Sequence, residues 1–350
     1  AARSGRPDGA AGIELTPLAR TRTGEEITYD HVRARLDRAR GVAEITVTGP
    51  EDGPPASLAA LHAQGAGFWT LAVTRELDDL ILDLRTNELE LGTWVLRTRG
   101  DPARVLAYDR FLAGHHDDWL AAEIVLYLKR TLKRLDVTSR SLLALIEPGS
   151  CFAGSLLELA LAADRSYMLS GVFEEIIAGE AGPAGGWSPR GDDSRGVPGG
   201  RPPGPARPAS VAVGPANLGP LPMGNGLTRL QTRFLGDPDA LAAAEKSAGD
   251  ALEAEDAEAL GLVTFAPDDI DWDEEVRIAI EERASFSPDA LTGLEANYRF
   301  PGPETLETKI FGRLTAWQNW IFYRPNASGP GGALRKYGTG QRADFDRKRV

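Results

Sequence analysis

Apolar and polar residues alternate through Ile27 and again through Val42-Ala43-Glu44-Ile45-Thr46-Val47, with Arg40-Gly41 between the two stretches. Period-two alternation on either side of a turn predicts a β-hairpin over 27–47. Farther along, the period lengthens. Leu77, Leu80, Ile81 and Leu84 recur at helical spacing, as do Ile124, Leu128, Leu132 and Leu135, the latter with Lys and Arg on the opposite face; both patterns predict amphipathic helices, over 75–84 and 121–135. Short runs at 92–97 and 142–146 have the length and apolar content of buried strands, and 156–163 is an almost wholly apolar helical segment after Pro148-Gly149. Buried strands alternating with helices predict an α/β fold in which helices cover a sheet.

The pattern fails between about 179 and 215, where Gly, Pro and Arg dominate without periodicity. Too little apolar surface is present there to offset ordering entropy, so the segment is expected to be disordered. Order signals return at Leu218. An Ala-rich helix is predicted over 239–262, ending at Gly261, with further helices at 274–284 and 305–320. The last carries Phe311, Trp317, Trp320 and, just beyond it, Phe322, an aromatic cluster expected to pack as core. The organisation predicted is a linker or truncated remnant at 1–26, a core domain at 27–265 and a helical region at 266–350.

Charge and composition narrow the functional classes. A formal net charge of -12 leaves no basic surplus to neutralise phosphates, which excludes a general nucleic-acid binder. One cysteine, Cys151, rules out an internal disulfide, and four histidines lack zinc-ligand spacing. No apolar run has membrane-spanning length and no leader-like h-region opens the chain, so a cytoplasmic protein without membrane contact is expected. Neither a metal nor a nicotinamide cofactor is implied, there being no ligand cluster and no Gly-x-Gly-x-x-Gly after a strand.

Candidate chemistry concentrates in Ala144-Leu-Ile-Glu-Pro-Gly-Ser-Cys-Phe-Ala-Gly-Ser-Leu-Leu-Glu-Leu-Ala-Leu-Ala-Ala-Asp164. A strand ends, a glycine loop turns, and a helix starts near Gly154-Ser155. That arrangement aims free backbone N–H groups and the positive helix end at one point, which suits an oxyanion. Glu158, one turn into the helix, is a carboxylate among leucines; it is either a proton-transfer group or one half of a buried ion pair. Cys151 is read as a small buried hydrophobe before a nucleophile, Glu147 as the end of a strand, and His115-His116 as a solvated loop pair.

The run Gly-x-x-x-x-Gly-x-x-x-Glu-Leu-Ala-Leu-Ala-Ala-Asp resembles a signature segment of the crotonase superfamily. Two more blocks follow in that family's order: 217–230, with Gly219, Pro222, Gly226 and Arg229-Leu230, and 254–263, ending Gly-Leu-Val. The resemblance extends from Ile13 to Val350 outside the Gly/Pro-rich stretch. Its finer phrases, notably Glu-Pro-Gly-Ser-Cys-Phe-Ala-Gly and Lys-Ile-Phe-Gly-Arg-Leu-Thr-Ala-Trp-Gln-Asn-Trp-Ile-Phe, are similar to the branch that opens epoxidised benzoyl-CoA. It implies a spiral of β-β-α units, an acyl-CoA thioester substrate with coenzyme A entering as part of it, and a homo-oligomer. It also implies an oxyanion hole made by Gly154-Ser155 and by the backbone near Leu106, where the family's Ala-Gly-x-Asp is represented by Leu106-Ala107-Tyr108-Asp109, with Glu158 placing or deprotonating water. Two departures stand out. The connection over 164–219 is roughly twice the family's length, as expected of a frameshifted reading frame. Pro215 occupies the family's second acid/base position and cannot transfer a proton. The rival readings are a generic enoyl-CoA hydratase or isomerase and a non-catalytic acyl-CoA-binding subunit.

Overall fold

The computed structural model describes residues 12–173 and 207–349. Seven strands lie side by side in sequence order: β1 (Thr21–Arg22), β2 (Glu26–Thr28), β3 (Val32–Asp37), β4 (Val42–Thr48), β5 (Thr93–Arg99), β6 (Ser141–Ile146) and β7 (Arg165–Met168). β1 to β4 form an antiparallel meander, and β4 to β7 pair in parallel. The hydrophobic pattern accounts for this division. β3 alternates Val32, Ala34 and Leu36 inward with half-buried Arg33, Arg35 and Asp37, whereas β6, Ser-Leu-Leu-Ala-Leu-Ile, is buried at every position. A strand apolar throughout needs cover on both faces, which a parallel crossover supplies.

On one face that cover is α1 (Leu58–Gln64), α2 (Trp69–Asn87), α3 (Pro102–Gly114), α4 (Trp119–Asp136) and α5 (Gly154–Leu161). Leu77, Leu80, Ile81 and Leu84 of α2 and Ile124, Leu128, Leu132 and Leu135 of α4 enter one core with Ile45, Trp94 and Leu142. Beyond it the chain forms α6 (Arg229–Arg233), α7 (Pro238–Lys246), α8 (Ala254–Ala259), α9 (Trp272–Ser285), α10 (Pro288–Arg299) and, after a π-helical stretch at Thr308–Leu314, α11 (Thr315–Phe322). α9 covers the second face of the sheet, setting Trp272, Val276, Ala279 and Ile280 against Val42, Val95, Leu143 and Leu145. A boundary at 265 therefore cuts through the packing, and β1 brings residues before 27 into the sheet.

Four further expectations change. The expectation of donor backbone near Leu106 misses α3, which begins where Asp101 caps Ala103 N–H with Pro102 in the first turn, a standard helix-start pair. Of the stretch expected to be disordered, 179–206 lies outside the described residues, but 207–215 is packed. Ala209, Val211, Ala212 and Val213 are buried, and bridges run from Ala212 to Ala153 and from Val211 to Leu252. The helix predicted over 239–262 is two, because Gly249 adopts φ +98° and Leu252 turns out to pair with Val211. The aromatic cluster is not core: α11 buries no residue, Phe311 is 70% exposed and Phe322 46%. Only one edge of it, Trp317 and Ile321, rests on α10 at Gly293.

Val211→Ala reads the packing of 207–215 directly. Emptying part of that fully buried site should cost about 1–3 kcal/mol in denaturant unfolding; a loose segment would show under about 0.5 kcal/mol.

Candidate functional site

The amino end of α5 is fixed by glycine and by one buried carboxylate. Gly154 sits at φ +48°, in the left-handed region that favours glycine, and a Cβ there would come within 2.0 Å of the Asp109 Oδ2 atom. Asp109, brought in by α3, accepts a hydrogen bond from Ser155 N–H at 2.7 Å. Gly154 N–H donates to the Ala212 carbonyl at 2.9 Å. Both amides expected to be free are thus engaged within the chain: one completes the bridge to the returning segment, the other is capped by a carboxylate. The Leu106 amide lies inside α3 rather than in a loop, so it is not the second donor; it is the Leu106 side chain that reaches the Gly154 turn.

Asp109 is 6% exposed, and burial pushes its carboxyl up to about 7, against the opposing pull of Ser155 N–H. It stands at the wall of a cavity of about 310 Å3 between α3, α4 and the turn at Pro215–Leu218. Leu112, Val125, Leu126, Leu128 and Leu221 supply an apolar lining, Pro215 and Ala216 part of the roof, and His116 a polar rim. The cavity opens beside the carboxyl end of β6, where α/β sheets characteristically hold ligands. Sequence reasoning quoted Asp109 within a motif without giving it a role. The signal was present in Asp101-Pro102, because a helix starting there turns position 109 inward with Val105 and Leu112.

Glu158 is fully buried, and both its oxygens are taken. Oε1 accepts from Asn217 Nδ2 at 2.7 Å, and Oε2 accepts from Arg229 Nη1 at 2.6 Å. Arg229 turns its other edge to Asp136, bidentate at 2.7 and 2.8 Å, and Asn217 also donates to the Gly154 carbonyl at 2.9 Å. Burial raises the Glu158 carboxyl, while the Arg229 and Asn217 donors oppose that rise. The carboxylate belongs to an ion cluster joining α4, α5, the 215–218 turn and α6, and it does not line the apolar cavity.

The remaining candidates are set apart from this site. Cys151 is buried against Gly49 and Gly100, with its thiol pushed up to about 12 by burial, so it is held protonated. Glu147 pairs with Arg97 of β5, which also approaches Glu44 of β4 at 3.5 Å, tying three parallel strands together. His115 Nδ1 bonds the Phe111 carbonyl at 2.8 Å, and His116 Nδ1 approaches that of Ala113 at 3.1 Å.

No family model matches the sequence. The chain is 47% identical over 347 residues to the benzoyl-CoA-dihydrodiol lyase of Aromatoleum evansii, an alignment taking in 99% of this chain and 57% of that protein. Among solved structures, an enoyl-CoA hydratase/isomerase of Cupriavidus metallidurans superposes with a TM-score of 0.56 at 16% identity, over 90% of this chain and 96% of that one. An enoyl-CoA hydratase of Bacillus anthracis gives 0.53 at 14% identity, over 95% and 99%. The chain therefore has the crotonase fold of these enoyl-CoA hydratases and is similar, over nearly its whole length, to part of a benzoyl-CoA-dihydrodiol lyase.

Proposed function

We propose that the chain carries the acyl site of an acyl-CoA lyase that opens 2,3-epoxybenzoyl-CoA with water to 3,4-didehydroadipyl-CoA semialdehyde and formate, working as a homo-oligomer. Atom balance requires two waters, one of whose oxygens leaves in formate. The chain spans 57% of its curated relative, and the reaction is taken from that likeness. The observation that carries the reading is Asp109: a buried carboxyl with its proton in balance near neutral pH, at the wall of an apolar cavity and seated on a helix N-terminal amide.

On entry, the thioester oxygen takes the Ser155 N–H, and the positive end of α5 stabilises the negative charge that develops there. Asp109, displaced from that amide, is left beside the ring and takes the proton of the attacking water as its oxygen bonds a ring carbon and the π pair of the double bond conjugated to the thioester shifts onto the thioester oxygen. The apolar walls exclude competing solvent and strengthen both interactions. Glu158 acts as a holder: with both oxygens bonded, it fixes Asn217 and thereby the Gly154 turn. The hydratase reading loses ground because Pro215 lines the cavity where the family places a second acid/base group.

Asp109→Asn keeps the shape and can still accept the Ser155 N–H, but cannot take a proton. Turnover of epoxybenzoyl-CoA should fall about a hundredfold or more. With the parent residue, kcat/KM should rise with pH to a plateau above about 7, and the variant should lose that step. An unchanged rate in the variant removes Asp109 from the chemistry; turnover of crotonyl-CoA instead would identify a hydratase, and binding without turnover an acyl-CoA-binding chain.

The same carboxyl sets a stability profile. Its folded pKa lies above the ordinary value, so the fold holds a proton that the unfolded chain releases. Stability should therefore fall as pH rises from about 4 to about 7 and stay level above, and Asp109→Asn should flatten that slope in denaturant titrations.

Glu158→Gln separates holder from reactant. It should lower stability by about 1–3 kcal/mol while leaving turnover per folded molecule within a few-fold of the parent. A hundredfold loss with unchanged melting would return proton transfer to Glu158.

A further inference from the structure

A second cavity, of about 510 Å3, lies at the opposite end of the sheet, where β6 and β7 begin. Its walls come from the carboxyl ends of α4 and α5, from α6, α9 and α10. Three carboxylates face it, and each already has a cation. Asp136 is held by Arg229, Asp164 by Arg299 at 2.8 Å, and Glu295 by Arg349 at 2.9 Å. Two more arginines line the same space, Arg233 and Arg283, and neither forms an ion pair among the described residues. Arg233 Nε donates to the Gly261 carbonyl, while Arg283 Nε and the Thr232 hydroxyl are buried without a hydrogen-bond partner. Two uncompensated guanidinium groups facing one cavity are costly unless an anion joins them.

We propose that this cavity binds a phosphate monoester with a small apolar body, its dianionic head between Arg233, Arg283 and the Thr232 hydroxyl. The donor geometry decides the class. Two guanidinium groups without an ion-pair partner among the described residues, with a hydroxyl beside them, offer more N–H and O–H donors than the two oxygens of a carboxylate can take up, and their planar forks suit the three terminal oxygens of a phosphate. Leu161, Met223, Leu294 and Pro301 line the remainder, with exposed Tyr298 at the rim, which provides for an organic body larger than inorganic phosphate. A cation is excluded by the same inventory, since every carboxylate in the wall is already spent. The site is distinct from the acyl cavity, which lies beyond the carboxyl end of β6, and it stands whether or not the ring-opening reaction does.

Calorimetric titration of the whole chain with phenyl phosphate, at fixed ionic strength and with benzoate as the comparison, tests this. One saturable site for phenyl phosphate is expected, with Kd raised about tenfold or more by Arg283→Gln, a residue without an ion pair or side-chain hydrogen bond among the described residues. Arg233→Lys, which keeps the charge and loses the fork, should weaken binding as well and guards against a folding effect of the first variant. Absence of saturable binding, equal affinity in both variants and the parent, or benzoate binding as tightly as phenyl phosphate each overturns the proposal.

Discussion

One guanidinium fixes the geometry of the candidate site. Arg229 is 2% exposed, and its three guanidinium nitrogens are shared between Asp136 at the end of α4, which takes Nε and Nη2, and Glu158 in the middle of α5, which takes Nη1. A buried arginine is tolerable only where carboxylates surround it, and those carboxylates are tolerable only because of the arginine. Through Glu158 the cluster reaches Asn217, and through Asn217 the carbonyl of Gly154. The turn that starts α5, the short 215–218 helix and the carboxyl end of α4 are thus locked into one register. The apolar cavity lies beside them, between α3, the first half of α4 and the 215–218 helix.

Such a lock would contribute little as net stability, since a well-packed apolar cluster of equal volume can do as well. Its effect is directional. Leucines at these positions could slide, whereas a bidentate pair and two hydrogen-bonded oxygens admit one arrangement. The Gly154 turn, which must accept both the Ala212 carbonyl and the close approach of Asp109, needs that definition.

How much was legible in the sequence follows from what each element depends on. Strands β4, β5 and β6 declare themselves by alternation or by a continuous apolar run, and α2 and α4 by helical period, because their burial is continuous along the chain; β7, four residues long, went unread. Glu158 likewise stood out as a carboxylate among leucines, and both its possible roles could be named. What stayed hidden depends on partners far away in sequence. Ala209, Val211, Ala212 and Val213 form a run too short to rise above the surrounding Gly and Pro, and they gain order only from Ala153 and Leu252. Asp109 is invisible as a site until α3 is recognised, since in a loop it would face water. The exposure of α11 contradicts its apolar sequence, and no local pattern could reveal which apolar helix goes uncovered.

The contact between Asp109 and Gly154 also bears on how this sequence can change over generations. A methyl group at 154 would overlap the carboxylate at 109, and the backbone there is one that L-residues rarely adopt. The constraint runs one way: enlarging 154 demands both a smaller or displaced 109 and a different backbone turn, whereas 109 can change beside an unaltered glycine. Across the 45 residues that separate them, the glycine is the fixed character and the carboxylate the one free to vary first.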